Sequence, residues 1–181
     1  MPSVTRLLDG PDLARALSRM AGEIVERCGA TEGITLVGIQ RRGVELARRL
    51  AGLIEAAHRT TIPLGKLDIT LYRDDLSAIG PRPRVGETDL PVEIEGLTVV
   101  LVDDVLYTGR TVRAALDELA DFGRPRRILL AVLADRGGRE LPIQADVVGL
   151  RVETTPADRV DVAVVELDGR DAVELVHQVA P

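Results

Sequence analysis

Residues 97–102, Leu-Thr-Val-Val-Leu-Val, run without a charge and stop abruptly at Asp103-Asp104. A strand that is apolar on both alternating faces has to be covered on both, as a parallel sheet layered between helices provides. Residues 34–39, 127–133, 146–150 and 161–165 read as further strands of this kind. Helical periods separate them. Residues 12–28 place Leu13, Ala16, Leu17, Met20, Ile24 and Val25 on one face, with Asp9 or Asp12 as cap and Gly29 as stop. Further helices are predicted over 44–57, from Arg110 to Gly123, and over 172–179. Strand and helix in alternation imply an α/β fold with a central, mostly parallel sheet flanked by helices. Residues 63–72 read as extended. The stretch 71–91 is charged and rich in Pro and Gly, and predicts a flexible loop or β-arm.

The 181 residues suit one domain spanning 1–181. A single cysteine, Cys28, excludes a disulfide scaffold, and neither it nor His58 or His177 has metal-ligand spacing. No apolar run approaches the roughly 18 residues that cross a bilayer, and the N-terminus lacks a secretory apolar region. The expectation is a cytoplasmic protein without a membrane partner. The net charge of −6 argues against wholesale wrapping of nucleic acid. That charge is uneven: +2 over residues 1–60, −5 over 61–120 and −3 over 121–181. All basic residues but Lys66 are Arg, the side chain best suited to phosphates and bases.

Ligands of open parallel sheets bind beyond the carboxyl ends of the strands. There the strand ending in Asp103-Asp104 leads through Val105, Leu106 and Tyr107 to Thr108-Gly109-Arg110-Thr111, which opens a helix. A Thr-Gly-x-Thr turn offers backbone N–H groups and hydroxyls to a phosphate. The adjacent carboxylates would repel a phosphate, so they face hydroxyls, a cationic base or a metal. A ribose 5-phosphate meets both demands. No GxxxxGK[ST] is present, and the Lys that a phospho-acceptor acid pocket requires after a later strand is missing, since Lys66 lies upstream. Arg41 and Arg42, after the strand 34–39, are placed for a leaving pyrophosphate, or form a solvated turn opening a helix.

The stretch VVLVDDVLYTGRT, 99–111, resembles the signature of type I phosphoribosyltransferases that binds phosphoribosyl pyrophosphate (PRPP). With VGIQRRG (37–43), LDITLYRDDL (67–76), LPVEIEGLTVVLVDDVLYTGRTVRAALDEL (90–119) and LADRGGRELPIQADVVG (133–149), nearly the whole chain resembles the PyrR family. These are bifunctional pyrimidine-operon regulators and uracil phosphoribosyltransferases. The resemblance implies the type I fold with a small hood and a flexible arm. It implies that Asp103 and Asp104 hold the ribose hydroxyls and that Tyr107 to Thr111 wrap the 5-phosphate, with Val105 and Leu106 among the substrate-binding residues. Arg41, Arg42, Tyr72 and Arg73 would serve the pyrophosphate, and Arg136 and Val160 the uracil. Mg²⁺ would arrive with PRPP, held mainly through ligand and water oxygens. Implied partners are PRPP, uracil, UMP or UTP, the leader mRNA of pyrimidine genes, and a second copy of the chain in a homodimer or higher oligomer.

Candidate RNA contacts are Arg15, Arg19, Arg27, Arg139 and Arg151. The family pattern carries His, a basic residue and Lys where this chain has Gly138, Gln144 and Leu150, with Arg151 beside the last. Two other readings stay open: an RNA-binding UMP sensor with vestigial activity, and a phosphoribosyltransferase for another base without an RNA role.

Overall fold

The apolar runs form the middle of a five-stranded sheet in a computed structural model that describes residues 3–73, 86–90 and 92–177. In chain order the elements are β1 (Ser3–Leu8), α1 (Gly10–Cys28), β2 (Ile34–Ile39), α2 (Arg42–His58), β3 (Leu64–Leu67), a 3-10 turn (Thr70–Tyr72), β4 (Thr98–Leu106), α3 (Arg110–Phe122), β5 (Arg127–Asp135), β6 (Val147–Arg151), β7 (Arg159–Ala163), α4 (Val165–Asp168) and β8 (Ala172–His177). The sheet order is β3-β2-β4-β5-β6, every neighbouring pair parallel.

Both faces of this sheet are covered, as its composition demands. Leu36, Val100, Val102, Leu129 and Leu133 pack against the apolar stripes of α1 and α2. Val37, Val99, Leu101 and Leu130 face Val112, Ala115 and Leu119 of α3. The first helix starts as its sequence predicts: Asp9 accepts the Asp12 N–H at 2.9 Å, and Gly29 ends it at φ 76°.

Three expectations are corrected. Residues 172–179 were expected to be helical, whereas Ala172–His177 is a strand, central in a separate antiparallel sheet of order β1-β8-β7. Six residues with buried Val173 and Leu175 flanking Glu174 fit a period of two, and their β-branched members suit the pleat. Residues 161–165 were expected to join the parallel sheet; the strand is Arg159–Ala163 and belongs to this hood instead. Its first member, Ser3–Leu8, carried no sequence expectation at all. Finally, the strand of 97–102 continues to Leu106, because its pairing with β5 persists through Val105↔Ala134 and Leu106↔Asp135. The acidic pair therefore lies within a strand rather than after one. Of the expected 71–91 loop, residues 74–85 and 91 lie outside the described residues.

Candidate active site

β2 and β4 lie side by side, yet the chain leaves β2 for β3 on one flank and continues from β4 to β5 on the other. This is the switch point of a parallel sheet, where two diverging loops open a crevice at the strands' carboxyl ends. The first loop, Gln40-Arg41, enters α2 at Arg42; the second, Tyr107 to Gly109, enters α3 at Arg110. Their approach is close. A Cβ on Gly43 would stand 2.5 Å from the Val102 carbonyl oxygen and 3.2 Å from the Asp103 Cα, so only glycine lets α2 start this near β4.

Asp103 is 6% exposed. Burial, reinforced by the charge of Asp104, pushes its carboxyl well above the usual carboxylate range. Its Oδ1 accepts the Asp104 N–H at 2.9 Å, and Asp104 Oδ1 accepts the Val105 N–H at 2.8 Å. Asp104 is half-buried and lines a cleft of about 360 Å³ with Arg42, Val160, Asp161 and Asp168 among its walls. One buried and one accessible carboxylate thus sit side by side on a single strand. They offer oxygens to ligand hydroxyls at two depths of the site.

The second loop is braced from below. The Thr108 carbonyl accepts the N–H groups of Glu140 and Leu141 at 3.0 and 3.1 Å, and Arg110 pairs with Glu140 at 2.7 Å. Gly109, at φ 92°, is the N-cap of α3 and supplies no capping side chain, while the Arg110 N–H reaches Thr108 Oγ1 at 3.3 Å. Val105 is half-buried, Leu106 buried and Thr111 exposed.

Arg136 follows β5 and lies over the Tyr107 ring, 3.8 Å from its centroid. The residue is 6% exposed; its Nη2 donates to the Thr155 carbonyl at 3.1 Å, while its buried Nε–H has no partner among the described residues. Arg139, one of the expected RNA contacts, is engaged within the fold. Its guanidinium donates to Asp135 at 2.7 Å, the Tyr107 carbonyl at 2.9 Å and the Ile143 carbonyl at 2.8 Å. These bonds lock the Tyr107 loop to the 137–143 segment and leave the side chain only 22% exposed.

The remaining expected positions fall outside the cleft. Arg15, Arg19 and Arg27 share the exposed flank of α1, within about 18 Å along its axis. Arg15 pairs with Asp12, and Arg27 with Glu23 at 2.8 Å. Arg19 caps the free edge of β6 by donating to the carbonyls of Val148, at 3.1 Å, and Gly149. Arg151 is exposed at the end of that same edge strand. Tyr72 closes the 3-10 turn that packs on α3, and Arg73 follows it, exposed.

Three acids of the cleft, Asp161, Asp168 and Glu174, escaped the sequence reading. All come from the hood, which only the tertiary fold brings over β4. Asp168 holds Arg42 in a fork, Nη2 to Oδ1 at 2.8 Å and Nε to Oδ2 at 3.2 Å. One helical stretch further, Arg49 grips Glu166 and Asp171 of the same hood segment.

Residues 3–168 match the family described as the phosphoribosyl transferase domain. A protein named bifunctional protein PyrR from Thermus thermophilus is 59% identical over 169 residues, 93% of each chain. Another of that name, from Chloroflexus aurantiacus, is 57% identical over 177 residues, covering 98% of this chain and 97% of its own. Among solved structures, a hypoxanthine-guanine phosphoribosyltransferase from Bacillus anthracis superposes with a TM-score of 0.65 over 96% of this chain and 99% of that one. At 18% identity, that likeness is one of fold.

Proposed function

The chain belongs to the phosphoribosyltransferases and, within them, to the PyrR family, and from this we propose that it joins uracil to PRPP, giving UMP and diphosphate, and also binds the leader mRNA of pyrimidine genes in response to uridine nucleotides. One observation carries the enzymatic half. At the switch point of the sheet, the Asp103–Asp104 pair stands between an arginine-bearing loop and a Thr-Gly helix entry. Pyrophosphate donors, diol acceptors and a 5-phosphate cradle then occur in the order that PRPP presents its groups.

The reaction is a displacement at the anomeric carbon: uracil N1 forms the new bond as the bond to the pyrophosphate oxygen breaks. The sugar passes through an oxocarbenium-like state. The residues at hand supply position and electrostatics rather than a covalent nucleophile. Asp104 and Asp103 orient the 2- and 3-hydroxyls. Arg41 and Arg42, with Arg73 at the neighbouring turn, balance the charge of the departing diphosphate, and Tyr72 serves it as a neutral donor. Tyr107 to Thr111 hold the 5-phosphate. Arg136, stacked on Tyr107 and with a free buried N–H, and Val160 on the cleft wall serve the pyrimidine. Mg²⁺ bound with PRPP would neutralise pyrophosphate charge. The donor set fits such an ion: the carboxylate oxygens of Asp103 and Asp104 are hard ligands, and ligand and water oxygens would fill the rest of its shell.

The RNA half rests on the exposed arginines of α1 and on Arg151, whose number doubles in a homodimer. The described residues contain no helix long and apolar enough to cross a membrane, which fits a cytoplasmic regulator. Pyrophosphate release with uracil, hypoxanthine, adenine and orotate tests the enzyme; strong preference for another base sinks the uracil reading. Filter binding to the leader RNA with and without UMP tests the regulator. A nucleotide-independent or undetectable affinity at low salt leaves a plain enzyme.

A further inference from the structure

Two arginines on α2 tie this helix to the hood, and they differ in a telling way. Arg49 is held by two carboxylates, Glu166 at 2.6 Å and Asp171 at 2.8 Å, and its side chain is 20% exposed. Arg42, seven residues earlier, is held among the described residues by the single carboxylate of Asp168 and is 37% exposed, on the wall of the cleft beside Asp104. Arg49 is the fixed tie, and Arg42 the exchangeable one.

We propose that Asp168 is a built-in competitor for the pyrophosphate group: it holds Arg42 when no ligand is bound, yields it when PRPP or diphosphate enters, and takes it back as diphosphate leaves. The proposal rests on the reading of Arg42 as a pyrophosphate contact. A guanidinium forked onto one carboxylate cannot present the same two donors to a phosphate. A diphosphate carries several negative charges against one on Asp168, so the exchange runs toward the ligand, at the cost of the Arg42–Asp168 pair. Asp168 is not stranded by it. Its Oδ2 keeps the Val164 N–H at 2.9 Å, and its side chain is 25% exposed, so water takes Arg42's place. The hood also stays attached, because the Arg49 pairs do not involve Asp168. The apparent affinity for any pyrophosphate-bearing ligand is therefore reduced by the fraction of time Arg42 spends on Asp168.

The test is calorimetric titration of magnesium pyrophosphate into the full chain. Asp168→Asn keeps an oxygen for the Val164 N–H and removes the charge. It should bind about three- to tenfold more tightly than the wild type, with the PRPP KM lowered by the same factor. Asp168→Glu should stay within about twofold, and Arg42→Ala should bind more weakly than all of them. A merely structural Asp168 gives the opposite sign, since loosening the hood weakens binding. If Asp168→Asn binds no tighter than wild type while Arg42→Ala loses affinity, the competitor role is wrong and the Arg42 reading stands. If Arg42→Ala binds as wild type does, both fall. Asp168→Ser, whose hydroxyl can also accept the Val164 N–H, repeats the test should the Asn variant not fold.

Discussion

Two glycines on one helix make opposite predictions for the same substitution. In Gly43→Ala the new methyl would lie 2.5 Å from the Val102 carbonyl oxygen, where ordinary contact begins at 3.4 Å. The start of α2 must then retreat from β4 by about 0.9 Å. Overpacking of this kind costs about 1–3 kcal/mol. At roughly 2–4 °C per kcal/mol for a chain of this size, Tm falls by about 2–12 °C. The retreat also carries Arg41 and Arg42 away from Asp103, and a misplacement near 1 Å costs up to about 10²-fold in rate. In Gly52→Ala, on the exposed side of the same helix, the methyl meets nothing within 4 Å. There the gain in helix propensity, about 0.5–1 kcal/mol, should raise Tm by about 1–4 °C and leave turnover unchanged. Scanning calorimetry and pyrophosphate release from uracil and PRPP measure both. A Gly43→Ala protein with wild-type Tm and wild-type kcat/KM would refute the claim that this backbone contact sets the distance between the arginine loop and the acid pair.

Four further outcomes follow, three from the site and one from the surface of α1. Because Asp103 holds its proton more tightly folded than unfolded, its stability contribution is present in acid and disappears as pH rises from the ordinary carboxylate range through the raised value. Asp103→Asn, which still accepts the Asp104 N–H, should therefore gain Tm over wild type progressively as pH rises above the ordinary carboxylate range, while losing turnover; a gap constant with pH contradicts the assignment. Tyr107→Leu removes the ring beneath Arg136, a contact worth about 0.5–2 kcal/mol, and should raise the uracil KM by about 2- to 30-fold with Tyr107→Phe close to wild type; equal losses in the two variants would point to the hydroxyl instead. Arg139→Met strands Asp135 and two carbonyls, so Tm should fall by an amount corresponding to about 2–5 kcal/mol, with synthesis and RNA binding declining together. Arg27→Ala, an exposed helix pair, should leave Tm within about 1 °C, and an unstable Arg27 variant alongside a stable Arg139 one would invert the roles given to them.

What the sequence made legible follows the range of the interactions concerned. The buried strands, the capped first helix and the acid pair beside a Thr-Gly turn are local patterns, each spanning fewer than about 20 residues, and they are visible in composition and period. The hood is not. Its three strands come from residues 3–8, 159–163 and 172–177, and each is too short for its period to separate strand from helix; only pairing of the two chain ends decides. The same distance hides half of the site's electrostatics. Arg42 can be read as a phosphate ligand from its place after β2, but its partner Asp168 lies 126 residues away, in a segment that resembles any solvated turn. Arg139 shows the same limit from the other side: in a charged stretch it looks like any surface arginine, and only the fold engages its donors with Asp135 and with carbonyls of two loops. Sequence identifies which residues can meet a polyphosphate; the fold determines which of them are already engaged, and hence which are free to bind it.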